Sequence, residues 1–229
     1  MVVRTYDFAE ADRVIVLLTE HHGLVRGVAK GVRRAKSRFG SRLQRFVDLN
    51  VQLYPGRNLY SITQADTVEF FGAGIIDDYE RYVAACAVLE SAERLAGAEA
   101  EGDPYLYHAV VDTLRRLQDD HPTRTLDAFL LRAMSHAGWQ PSLFDCAQCG
   151  APGPHHAFHP AVGGAACVHC RPPGAAEVDP ETLHYLWLLQ HGQATAPTAA
   201  QEAEGHRLAQ AHLQWHIERK ITALQVMDQ

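Results

Sequence analysis

Two Cys-x-x-Cys steps, Cys146-Ala-Gln-Cys149 and Cys167-Val-His-Cys170, separated by 17 residues, constrain this chain more than any other feature. Each step presents two thiolates on one side of a tight turn, and two such turns facing one another complete the sulfur tetrahedron that zinc prefers. Gly150 follows the first step, where a residue able to take positive φ is needed. The segment from Ala151 to Ala166 has two prolines among its first four residues, then Phe158, Val162 and Gly163-Gly164, which suits a short zinc-ribbon hairpin. Four thiolates close the coordination shell, so the expected Zn2+ is structural and not catalytic. Two alternatives stand beside this. A redox CxxC pair normally sits in a βαβ surround, which the flanking sequence lacks. One of His155, His156, His159 or His169 would otherwise have to replace a thiolate. Arg171 is the one cation nearby, which favours a clamp between helices over a nucleic-acid contact.

The second constraint is charge. Between Arg26 and Arg45 lie Arg26, Lys30, Arg33, Arg34, Lys36, Arg38, Arg42 and Arg45, with no Asp or Glu among them. Eight cations on so short a segment repel one another unless a counter-charge is supplied, and a polyanion is the usual supplier. The bland reading is a solvated basic loop. The rest of the chain argues against it, because residues 1–75 hold 11 Lys and Arg against 7 Asp and Glu, whereas the remainder holds 10 against 20. Basic character confined to one end of a chain of net charge −6 points to a localised anionic partner. Gly27, Gly31 and Gly40 punctuate the run, which reads as a loop leaving a strand. Phe39 in its middle either stacks on a nucleobase or anchors the loop.

Around that loop, five segments rich in β-branched and aromatic residues read as strands: Met1 to Tyr6, Arg13 to Thr19, Leu24 to Ala29, Phe46 to Tyr54 and Leu59 to Val68. Five short strands with one long connection after the third predict an OB-fold β-barrel, whose grooves bind single strands by pairing a cationic track with aromatic stacking. Phe39, Tyr54 and Tyr60 are the stacking candidates. From Ile76 the pattern turns helical. Tyr82, Val83, Cys86 and Leu89 mark a first helix to about Ala96, a second runs from Tyr105 to Gln118 with His121-Pro122 closing it, and a third carries Leu126, Phe129, Leu130, Ala133, Met134 and Ala137 with Thr125 as N-cap and Gly138 as stop. Pro180 to His191 and Gln201 to Leu224 complete an α-helical body packed after and against the barrel, the last helix with Leu213, Ile217, Ile221 and Leu224 on one side. The expected class is therefore α+β multidomain: an OB-fold domain over 1–75, an α-helical domain over 76–145 and 175–229, and a four-cysteine zinc ribbon inserted at 146–174. His108, His136, His184, His191, His206, His212 and His216 fall on these helices without HExxH spacing or paired carboxylates, so no catalytic site is expected. With neither a secretory signal nor an apolar run long enough for a bilayer, a cytoplasmic protein without membrane contact is expected.

The stretch EADRVIVLLTEHHGLVRGVAKGVRRAKSRFGSRLQRF, the following QADTVEFF and the passage LDAFLLRAMSHAGWQPSLFDCAQCG together closely resemble the bacterial RecO family of DNA-repair and recombination proteins. The most specific parts are Glu10-Ala11-Asp12-Arg13, the Ala29-Lys30-Gly31 turn and the helix with CxxCG at Leu126 to Gly150. The resemblance implies a mediator without turnover that binds single- and double-stranded DNA, anneals complementary strands, engages the acidic tail of single-stranded DNA-binding protein (SSB), and acts with RecR to load RecA, associated with the nucleoid. Carried onto this chain, it makes Arg26, Lys30, Arg33, Arg34, Lys36, Arg38 and Arg42 the phosphate contacts, with Arg33, Arg34 and Lys36 foremost. A cationic rim for the SSB tail is expected at Arg132 beside Phe129, Leu130 and Ala133, or at Arg115 and Arg116. An OB-fold and zinc-ribbon RNA-binding protein of translation or transcription is the alternative. A hydrolase lacks a nucleophile elbow or a phosphate-binding glycine loop here.

Overall fold

The computed structural model describes residues 1–96, 102–193 and 195–217. Contacts group the chain into two compact units, Met1–Asp120 and His121–Gln229.

In the first unit, β1 (Val2–Phe8), β2 (Asp12–Leu18), β3 (Leu24–Ala29), β4 (Val47–Tyr54) and β5 (Tyr60–Phe70) form one sheet in the order β1-β2-β3-β5-β4. All neighbours are antiparallel except β3 and β5, which meet in parallel at Gly27↔Tyr60 and Val28↔Ser61. This is the partly open, five-stranded Greek-key barrel of the OB type. Alternation along the strands sends Ile15, Leu17, Val25, Ala29, Val47, Leu49 and Ile62 into one core. Gly27 is required there, since a Cβ would lie 2.8 Å from Ile62 Cγ1.

Two helices belong to the same unit. α1 (Tyr79–Leu95) is capped by the Asp78 carboxylate, which accepts the Arg81 N–H, and α2 (Pro104–Arg116) by Asp103. α1 buries Val83, Ala84, Ala87, Val88 and Leu89, while Tyr82 and Cys86 sit at the margin of that stripe: Tyr82 is 38% exposed with its ring edge-on to Phe46, and Cys86 accepts from Arg45. Polar ties join helices to sheet. Arg4 pairs with Glu93 at 2.6 Å, Arg115 forks onto Glu69, and the Tyr107 hydroxyl donates to the buried Asp48 carboxylate at 2.9 Å.

The second unit contains α3 (Pro122–His136), α4 (Pro180–Gln190) and α5 (Ala199–His216), each in contact with the other two. The expected start of α3 at Thr125 is one turn late. Pro122 occupies the first turn with its φ already helical, His121 is the N-cap, and Thr125 is buried inside the helix. The prolyl residue read as closing α2 therefore opens α3. Gly138, at φ +79, ends it as expected. α5 begins with a complete capping box of Thr198 and Gln201. Ile217 is its extended C-cap, and Ile221 and Leu224 lie outside the described residues. Between α3 and α4, β6 (Ala157–His159), β7 (Gly164–Ala165) and β8 (Ala176–Glu177) form a small sheet in the order β7-β6-β8.

Candidate nucleic-acid interface and metal centre

The basic loop is a chain of turns. Arg34 N–H donates to Gly31 O, Ser37 N–H to Arg34 O, Gly40 N–H to Ser37 O and Arg42 N–H to Phe39 O. Phe39 is 2% exposed and Leu43 likewise, both within the barrel core. Stacking of Phe39 on a nucleobase is thereby overturned: an apolar ring among charged neighbours supplied the loop with its anchor. At the loop's entry the Asp12 carboxylate accepts the Gly31 N–H at 2.7 Å, and Arg33 N–H donates to Ala11 O. The β1–β2 turn thus holds the loop in place.

The cations divide into two groups. Arg33 lies 3.4 Å from Asp7 and donates to Glu10 O, Arg42 donates to Ala65 O and Arg38 O, and the Arg38 guanidinium lies 4.8 Å from the Phe39 ring centroid. Asp7 is held below the usual carboxylate range, first by the Arg13 hydrogen bond and then by the nearby charges of Arg33 and Arg13. Among the described residues, no ion pair or side-chain hydrogen bond engages the exposed Arg26, Lys30, Arg34 or Lys36. These four form the uncompensated positive charge. Tyr54 and Tyr60 remain exposed at 69% and 44%, and Tyr60 and Arg26 line a groove of about 770 Å³ at the barrel mouth. Sequence reasoning missed two aromatic side chains, Tyr6 and Phe8 on β1, which are 44% and 46% exposed.

The groove expected beside Arg132 for an acidic tail is not formed. Phe129, Leu130 and Ala133 are buried in α3, so they offer no greasy pocket beside Arg132. Arg115 is taken by Glu69 and Asp112, and Arg116 by Asp120. A groove of about 550 Å³ in the second unit is framed by Phe144, Trp187, His155 and His184 with Asp145 and Glu181, and among the described residues no arginine or lysine lines it.

The four sulfurs of Cys146, Cys149, Cys167 and Cys170 all lie within 4.8 Å of one another, and Cys149 Sγ is 3.8 Å from Cys167 Sγ. Tetrahedral bonds of about 2.3 Å to a central zinc place sulfurs about 3.8 Å apart, so the set fits a metal of that size. The backbone builds this site. Gly150 N–H donates to Cys146 O, Ala147 N–H to Ala165 O and Arg171 N–H to Cys167 O. Gly164, at φ +129, is required where the ribbon meets Ser142, because a Cβ would come 2.3 Å from Ser142 O. Backbone N–H groups, that of Cys167 first, bring the Cys146 thiol down to about 6, whereas hydrogen bonds with neighbouring sulfurs, that of Cys167 first, push Cys170 up to about 12. Of the four histidines weighed as substitutes, His155 and His159 are engaged elsewhere: His155 Nε2 lies 2.9 Å from Ala151 O, and His159 Nδ1 accepts the Ala161 N–H. Arg171 faces Glu177.

A small OB-type barrel with an outward cationic loop is joined in one chain to a helical unit carrying a four-cysteine cluster able to hold a metal ion. Residues 1–71 match the family described as Recombination protein O N terminal, and residues 76–225 match Recombination protein O C terminal. The chain belongs to the RecO family of DNA-repair and recombination mediators. Among the described residues, no helix is long and apolar enough to cross a membrane.

Proposed function

We propose that this protein is a non-enzymatic recombination mediator that binds single- and double-stranded DNA, anneals complementary strands, and with RecR helps RecA load on SSB-coated DNA in the nucleoid. The barrel of residues 1–75 is the DNA-binding domain, residues 76–145 and 175–229 are the helical domain that meets protein partners, and 146–174 is the inserted ribbon. The observation that carries the reading is the loop: among the described residues, Lys30, Arg34 and Lys36 are exposed without a counter-charge on a segment anchored by Phe39 and Leu43, and the exposed Arg26 of β3 joins them. Arg33, Arg38 and Arg42 extend the track by exchanging their present partners for phosphate. Contacts of this kind grip the backbone and leave base edges open, which annealing needs. In the ribbon, Cys146, Cys149, Cys167 and Cys170 hold a structural Zn2+; an all-sulfur donor set selects zinc over the hard cations, and it supplies a cross-link rather than chemistry.

The test is fluorescence anisotropy of a labelled single strand across a salt series, with a matched RNA strand alongside. Four phosphates neutralised by the unpaired cations give a log K against log salt slope of about −2.8. The Arg33→Glu, Arg34→Glu, Lys36→Glu variant should lose most of the affinity while remaining folded. Equal binding by that variant would remove the loop from the DNA interface, and preference for RNA would favour the translation or transcription alternative.

A further inference from the structure

We propose that the outer face of β1 is a second contact surface, a stacking platform on which Tyr6 and Phe8 take up unpaired nucleobases; the proposal rests on the loop being a phosphate track. Directly opposed residues of neighbouring strands share a face of the sheet. Tyr6 is opposite Val14, which is opposite Val28, and Phe8 is opposite Asp12. The alternate residues Ile15, Leu17, Val25 and Ala29 fill the barrel, so Tyr6 and Phe8 lie on its outside. α1 crosses β1 where Arg4 meets Glu93 and leaves both rings beyond it about half exposed.

Charge identifies the occupant. Arg34 lines a cleft with Ala9, Glu10, Ala11 and Asp12, immediately beyond Phe8. Lys30 leaves the sheet at that same end, following Ala29, and Arg26 faces outward opposite Val16. Of the two carboxylates lining that cleft, Asp12 accepts the Gly31 N–H and Glu10 is exposed, against the cations Arg33 and Arg34 on the same lining and Lys30 at the same end of the sheet. Two apolar rings bordered by free cations suit a ligand that alternates flat π-faces with phosphates, which is a single-stranded nucleic acid. Spacing adds selectivity. Residues two apart on a strand are separated by about 6.8 Å, twice the 3.4 Å step of a duplex strand, so these rings accept bases only from a strand drawn out of duplex stacking. Stacking occupies base faces and leaves pairing edges free, which is compatible with annealing on the same surface.

The experiment compares a poly-thymidine oligonucleotide with an abasic oligonucleotide of equal length and charge, using the full-length protein and a Tyr6→Leu, Phe8→Leu variant. Leucine keeps apolar contact with Val14 and removes the ring, and thermal unfolding verifies that the variant is folded. The natural protein should bind poly-thymidine at least about tenfold more tightly than the abasic strand, as expected for one or two stacked bases. In the variant this gap should close while the salt slope stays the same. A gap that persists in the variant, the result if these rings instead dock a protein segment, overturns the platform and leaves the track standing. Equal loss on both strands also overturns it. Failure of the natural protein to bind either strand removes the track itself, and the platform with it.

Discussion

Two stretches of the same length sit at opposite ends of this chain's chemistry: residues 30–46 between β3 and β4, and the 17 residues between the two cysteine steps. Neither contains enough regular hydrogen bonding to hold itself. The first is fixed from within, by Phe39 and Leu43 driven into an existing core, so that its charges are free to face outward. The second carries only the short strands β6 and β7, of three and two residues, and the four sulfurs that flank it converge to bind it. An apolar anchor leaves a segment's polar surface available to a partner, whereas a metal anchor consumes the side chains that carry the segment's distinctive chemistry. This is why the loop reads as an interface and the ribbon as a fastening.

The comparison breaks most visibly on the metal side. Chelation, or Cys149→Ser, should unfold the ribbon outright, because zinc held by such sites contributes on the order of 10 kcal/mol to folding. Metal analysis with near-ultraviolet circular dichroism checks this, and retained ribbon structure in metal-free protein would place the fastening elsewhere. On the apolar side, Phe39→Ala should cost about 3–5 kcal/mol in urea unfolding of the first unit and should leave bound metal unchanged. A shared response to both perturbations would erase the distinction between the two anchors.

A finer test concerns the ribbon's neighbour. His212 on α5 meets Phe158 of β6 edge-on, and burial pushes its imidazole down to about 4 from 6.5. The neutral ring is the folded form, so its stabilisation is complete above pH 6.5 and is lost as pH falls from 6.5 toward 4, amounting to about 3 kcal/mol at most. His212→Leu should flatten that part of the stability profile relative to the natural protein, the metal-release component being common to both. Smallest is Tyr107→Phe, which removes the hydroxyl donating to Asp48 and should cost about 1–3 kcal/mol in the first unit alone.

Much of the fold was legible in the sequence, and the exceptions have physical causes. The β-branched runs marked all five strands of the barrel to within two residues at every boundary, because the barrel core reads their alternation directly. The four cysteines were legible because thiolate spacing carries its own geometry. Phe39 stayed ambiguous, since one ring in a charged loop does not say whether the loop folds over the barrel or away from it. Tyr6 and Phe8 escaped notice because a register shift between Val2 and Arg4 interrupts the alternation of β1, hiding which side the later residues take. The groove beside Arg132 failed for another reason: α3 is buried on most of its circumference, so a periodic apolar stripe there did not imply an open groove.

The meeting of β3 and β5 has a consequence for how the barrel opens. Among the described residues, two pairs, Gly27↔Tyr60 and Val28↔Ser61, join the three-strand block to the β4–β5 hairpin in parallel, whereas each block is internally laddered over six or more residue pairs. The barrel behaves as two sewn panels with a short zip between them. In native-state hydrogen exchange, amides along that zip should trade with solvent at a lower free-energy threshold than those within either panel, and the loop that carries the cations is the covalent link from one panel to the other.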